Sequence, residues 1–108
     1  MNLTREQAVT EFRKMWKWIA EETLKQKRKV LKREYFEKHN LKRIRNDCYL
    51  CEYDSNQKLF WCKSCPIIKE KYTKSCCNGL YGKWEHAKDY KVCAELAKQI
   101  SELPESEV

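Results

Sequence analysis

The chain has 108 residues, a formal net charge of +7 and a mean hydropathy of −0.90, so it holds one domain with a modest core. No run approaches the roughly 18–20 consecutive apolar residues that a membrane helix needs. Seven cysteines, an odd number, in a Lys-rich chain argue against a secreted disulfide scaffold and for reduced, metal-binding thiols in a cytoplasm.

Thr4-Arg5-Glu6-Gln7 has the form of a capping box and places a helix start at Thr4. Ala8, Phe12, Met15 or Trp16, Ile19 and Thr23 then recur at steps of three and four, one apolar stripe on a helix otherwise lined by charge. A weaker stripe through Leu24, Val30, Leu31 and Tyr35 continues among Lys25, Lys27, Arg28, Lys29, Lys32 and Arg33. Residues 1–40 contain no Gly or Pro, so the expectation is one long helix or two nearly continuous ones. The end falls near His39 and Asn40, where Asn suits a C-terminal cap.

From Asn46 to Gly82 the helical periodicity is lost, and Pro66, Gly79 and Gly82 supply turn chemistry. Lys58 to Trp61 reads as a short strand, and Asp54-Ser55-Asn56 as a hairpin turn. Trp84 through Leu103 returns to helical spacing, with Ala87, Tyr90, Cys93 or Ala94, Ala97 and Ile100 along one side and Pro104 ending the run. The expected fold is mainly α with a small irregular or β-hairpin zinc-binding insert. Its single domain comprises a long, basic N-terminal helical region (1–45), a zinc region (46–82), a C-terminal helix (83–103) and a frayed tail (104–108). The two terminal helices should pack together, with Phe12, Trp16 and Ile19 against Ala94, Ala97 and Ile100, because neither apolar stripe is stable in water alone.

Cys48-x2-Cys51 and Cys62-x2-Cys65 carry the chemistry. A two-residue gap lets both sulfurs of a tight turn face one ion, and two such turns complete a tetrahedron around zinc at about 2.3 Å. Cys76 or Cys77 could replace Cys62 or Cys65 as a ligand, and an iron–sulfur cluster also accepts four thiolates. Cys93 falls on the apolar side of the last helix and reads as a small core residue. His39 and His86 read as ordinary polar residues. A closed tetrathiolate leaves no coordination position for water, so the zinc would serve folding rather than catalysis. There is no Gly-rich phosphate loop, Ser/His/Asp set or His-Glu-x-x-His, and the expectation is a protein that is not an enzyme.

Residues 1–45 hold 14 Lys or Arg against 6 Asp or Glu, so the basic character belongs to the N-terminal half. Lys25, Arg28, Lys29 and Arg33 could meet an anionic partner, whether protein, nucleotide or nucleic acid, although Glu21, Glu22, Glu34 and Glu37 stand close enough to pair with them. Met15, Trp16 and Trp18 cannot all enter one narrow core. Trp18 is therefore expected to reach a partner or another subunit, and homo-oligomerisation is left open.

The segments EFRKMWKWIAEET, NDCYLCEYD, CKSCPI, LYGKWE and AELAKQISELPE, in that order, resemble a group of small, functionally uncharacterised, cysteine-rich proteins encoded by bacteriophages and prophages. Its Cys-x2-Cys and Cys-x2-Cys-Pro elements match Cys48, Cys51, Cys62 and Cys65-Pro66, and a further cysteine after the second pair corresponds to Cys76 or Cys77. The resemblance implies a phage accessory protein in the cytoplasm of a bacterial host, one that binds a host factor in host takeover or counter-defence. It carries no catalytic residues. Two other readings suit basic and aromatic residues: an oligomer that sequesters a nucleotide immune signal, and a zinc-containing DNA- or RNA-binding regulator.

Overall fold

The structure, a computed structural model, describes residues 3–42, 44, 47–50 and 79–104. Among these the regular structure is helical: α1 (Arg5–Gln26), α2 (Lys32–Lys38), α3 (Leu80–His86) and α4 (Tyr90–Ser101). None of these helices is long and apolar enough to cross a membrane. The expected strand at 58–61, the hairpin turn at 54–56, Pro66 and the tail 105–108 lie outside the described residues.

Helix α1 begins as its first residues dictate. The Thr4 hydroxyl accepts from the Gln7 N–H at 3.1 Å, and the Gln7 side chain accepts from the Thr4 N–H at 2.9 Å, which satisfies two otherwise orphaned donors. Its apolar stripe is buried throughout: Ala8, Phe12, Met15, Trp16, Ile19 and Thr23 all face the interior. The helix ends at Gln26 without a glycine, because Lys27 adopts a left-handed conformation with φ 55°. Such a turn costs a non-glycine residue roughly 1–2 kcal/mol. It returns something locally: the buried Thr23 hydroxyl accepts from the Val30 N–H at 3.2 Å, and Val30 becomes fully buried. The N-terminal region is thus two helices with a folded turn between them.

Helix α2 closes near the expected residues. The Leu41 N–H reaches the Phe36 carbonyl at 2.8 Å and the Asn40 N–H the Glu37 carbonyl at 3.2 Å, with Asn40 left-handed at φ 52°. This is the Schellman pattern, with Asn where glycine is commoner.

The expected single helix over 83–103 is corrected to two. Helix α3 starts earlier, at Leu80, and the chain leaves the helical conformation at Ala87 (φ −70°, ψ 137°). It re-enters after Asp89, whose carboxylate accepts from the Lys91 N–H at 2.8 Å. Apolar spacing reports which residues face a core, not whether the backbone between them is continuous, and α3 and α4 bury their stripes in the same core.

That core joins the four helices. Phe12, Trp16 and Ile19 of α1 lie in one buried cluster with Cys93, Ala97 and Ile100 of α4, Trp84 of α3, and Tyr35 and Phe36 of α2. Among the described helices the α1–α4 pairing is the most extensive, as the two stripes require. The Arg13 guanidinium donates to the Leu103 carbonyl at 3.0 Å and ties the end of α4 to the first half of α1.

Candidate functional site

The cysteine-rich stretch is held to the core at its two described ends. Cys48, Tyr49 and Leu50 are buried in the cluster, and the Tyr49 ring lies 5.8 Å from that of Phe36. Burial pushes the Tyr49 phenol up to about 12, with smaller contributions from Tyr35 and Glu11. At the other end Gly79, with φ 88°, leads into α3, whose Trp84 packs edge-to-face on Trp16 at 4.9 Å. Cys51, Cys62, Cys65, Cys76 and Cys77 lie outside the described residues, and among the described residues no group of three His, Cys, Asp or Glu is placed to hold a metal. Of the four cysteines expected to hold a metal, Cys48 alone is among the described residues, and it is buried.

The remaining candidates behave as polar or core residues. Cys93 is fully buried and its thiol donates to the Ala87 carbonyl at 3.3 Å, with burial pushing its pKa up. The His39 Nδ1 lies 2.8 Å from the Tyr35 carbonyl, and its ring meets Tyr35 at a tilt and Trp18 edge-on. His86 is exposed at the end of α3.

The basic stretch divides into residues with different duties. Lys29 reaches across the fold: its ammonium donates to the carbonyls of Trp84 at 2.8 Å, Glu85 at 2.8 Å and Ala87 at 3.2 Å, and lies 4.5 Å from the Trp84 ring centroid. It therefore caps the C-terminus of α3, where carbonyls lack helical partners and the helix dipole favours a cation. Lys29, expected to meet an anionic partner, is thus engaged within the fold. Replacing it with Met should cost about 2 kcal/mol, since charge-assisted hydrogen bonds to carbonyls are lost, while Arg33→Met should change stability by less than about 0.5 kcal/mol. Urea denaturation of the two variants measures this, and equal midpoints would refute the cap.

Arg28 folds onto Glu34, with contacts at 3.1 and 2.5 Å, and Glu34 also accepts from the Leu31 N–H at 2.6 Å. The Arg28 hydrogen bond, then the Leu31 N–H, hold the Glu34 carboxyl below its ordinary value. Whatever stability this pair contributes is present above that ordinary value and is lost as pH falls through the lowered one. Lys32 sits with its ammonium 4.4 Å from the Tyr81 ring centroid. Lys25, Lys27 and Arg33 are exposed.

No family model, no curated protein and no solved structure matches the chain. Function therefore rests on what these residues can do.

Trp18 is half-buried, as the crowding of Met15, Trp16 and Trp18 requires: Met15 and Trp16 enter the core and Trp18 stays at its edge. Its ring meets Tyr35 at 5.5 Å and 65°, and His39 at 5.5 Å and 73°. It lines a groove of about 360 Å³ between α1 and α2, together with Glu22, Gln26, Glu34, Glu37 and Lys38. The surroundings of Trp18 are thus richer in carboxylate than in ammonium, unlike the basic stretch from Lys25 to Arg33. The spacing held a signal: Glu22 follows Trp18 by four residues, one turn along the same side of α1. That α2 would bring Glu34 and Glu37 to the same groove was not legible, because it depends on the turn at Lys27.

Proposed function

We propose that the protein is a zinc-stapled helical binder that acts by stoichiometric association with a host factor, as a phage accessory protein in host takeover or counter-defence. Cys48, Cys51, Cys62 and Cys65 would hold the metal, whose part is to fix the stretch between the helices. The observation that carries the binding reading is the division of the basic stretch. Lys29 and Arg28 are engaged within the fold, whereas Lys25, Lys27 and Arg33 remain exposed where α1 passes into α2. Exposed cations of this kind add little to stability but confer salt-dependent attraction for an anionic surface.

The test is to reverse Lys25, Lys27 and Arg33 to Glu while leaving Lys29 in place. Partner capture from host lysate should fall by more than about tenfold and should weaken steeply with salt in the parent, while zinc content and melting temperature stay unchanged. Capture indifferent to the triple change would sink the reading. Mobility shift with DNA or RNA and native mass spectrometry with nucleotides distinguish the regulator and the nucleotide-sequestering readings from a protein partner.

A further inference from the structure

Beyond the basic surface, the groove between α1 and α2 has a chemistry of its own. Trp18 lines it, its indole ring held by edge contacts to Tyr35 and His39. Its walls bring Glu22 from α1 together with Glu34 and Glu37 from α2, against a single ammonium, Lys38. The chain carries 23 Lys and Arg, yet Glu22 and Glu37 form no ion pair among the described residues. The third carboxylate shows what the wall accepts: Glu34 already holds a guanidinium, that of Arg28, through two contacts.

An aromatic face flanked by carboxylates is the environment that a guanidinium fits best. The planar cation stacks on the ring, drawn by its quadrupole, while its fork of N–H donors reaches carboxylates at the side. A butyl-ammonium would gain the charge but not the fork, and an anion would be repelled. We propose that this groove binds an arginine side chain from a basic segment of a partner protein, with Trp18 stacking on the guanidinium and Glu22 and Glu37 accepting its hydrogen bonds. The site goes beyond the basic surface described above and is opposite to it in sign. One small protein would then offer an anion-seeking turn and a cation-seeking groove side by side.

The probe is an acetylated, amidated Gly-Arg-Gly-Arg-Gly peptide titrated into the isotope-labelled, full-length protein, with the Trp18 indole N–H and the Glu22 and Glu37 amides followed by NMR. Saturable shifts confined to these residues are expected. Affinity should fall on the order of tenfold in Glu22→Gln/Glu37→Gln, as two screened ion pairs are lost. Those substitutions are isosteric and leave Trp18 and its ring contacts intact, so folding is preserved where Trp18→Ala could disturb it. Absence of shifts, equal shifts with the neutral citrulline peptide, or unchanged affinity in the double variant would each overturn the proposal. Spermidine binding as well as the peptide would also overturn it, in favour of a general cation site. The Lys25→Glu/Lys27→Glu/Arg33→Glu protein should keep or strengthen its peptide affinity, as nearby positive charge is removed, whereas binding at the basic surface is lost, so this site and the basic surface stand or fall separately.

Discussion

Trp16→Ala is expected to leave the protein largely unfolded at 37 °C. Trp16 is 1% exposed and sits where α1 meets α3, edge-on to Phe12 at 6.5 Å, Tyr81 at 6.2 Å and Trp84 at 4.9 Å. Truncating a buried tryptophan to alanine typically costs about 3–5 kcal/mol, through lost transfer free energy and the cavity left behind. A chain this polar, with one modest core, should stand near the low end of the roughly 5–15 kcal/mol typical of domains. The loss would lower the melting temperature by more than about 15 °C. Trp16→Phe should cost much less, because a ring remains and the indole N–H of Trp16 has no hydrogen-bond acceptor to lose. Thermal melts followed by circular dichroism decide the matter: a Trp16→Ala melt within about 3 °C of the parent would refute this account of the core.

Chelation of zinc is expected to have the other large effect. The purified protein should carry about one zinc per chain, and its removal should abolish the cooperative melt. In small zinc sites the metal's binding free energy is folding free energy, with apparent values of about 10–16 kcal/mol in zinc-finger peptides. Here the coupling has a structural route. The segment carrying the other proposed ligands, Cys51, Cys62 and Cys65, joins Cys48, Tyr49 and Leu50, packed beside α2, to α3, packed on Trp16 and capped by Lys29. Freeing that segment restores chain entropy between two anchored points and loosens the hold of both on the core. Cys48→Ser and Cys51→Ser should reproduce the effect of chelation. Cys93→Ala, a loss of a small buried side chain far from the ligand set in sequence, should cost only about 1 kcal/mol. Elemental analysis and calorimetry with and without chelator provide the measurement. A metal-free protein with an unchanged, cooperative melt would eliminate the zinc reading.

The residues differ in what could be read from them in advance, and the difference follows from the range of the interactions. The capping box at Thr4 and Gln7, the left-handed Asn40 and the buried stripes of α1 and α4 are set by neighbours three or four positions away, so the order of residues was enough to place them. The pairing of α1 with α4 was also legible, because two amphipathic helices in a short chain have few other places to bury their apolar sides. Lys29 is another matter. Its ring and carbonyl partners at Trp84, Glu85 and Ala87 are more than fifty residues away, so nothing in the run from Lys25 to Arg33 distinguishes the one lysine that caps a helix from those that face water. The break between α3 and α4 is coupled to the same contact, since those carbonyls are free to receive Lys29 only where the helix ends. The acidic groove at Trp18 likewise exists because the turn at Lys27 folds α2 back along α1 and carries Glu34 and Glu37 with it. Local order set the start of α1 and the sides of α1 and α4 that turn inward, but not the break between α3 and α4. Which charges serve the fold and which are left for a partner was decided only when distant segments met, because the sign and availability of a surface depend on the pairings its residues have already made.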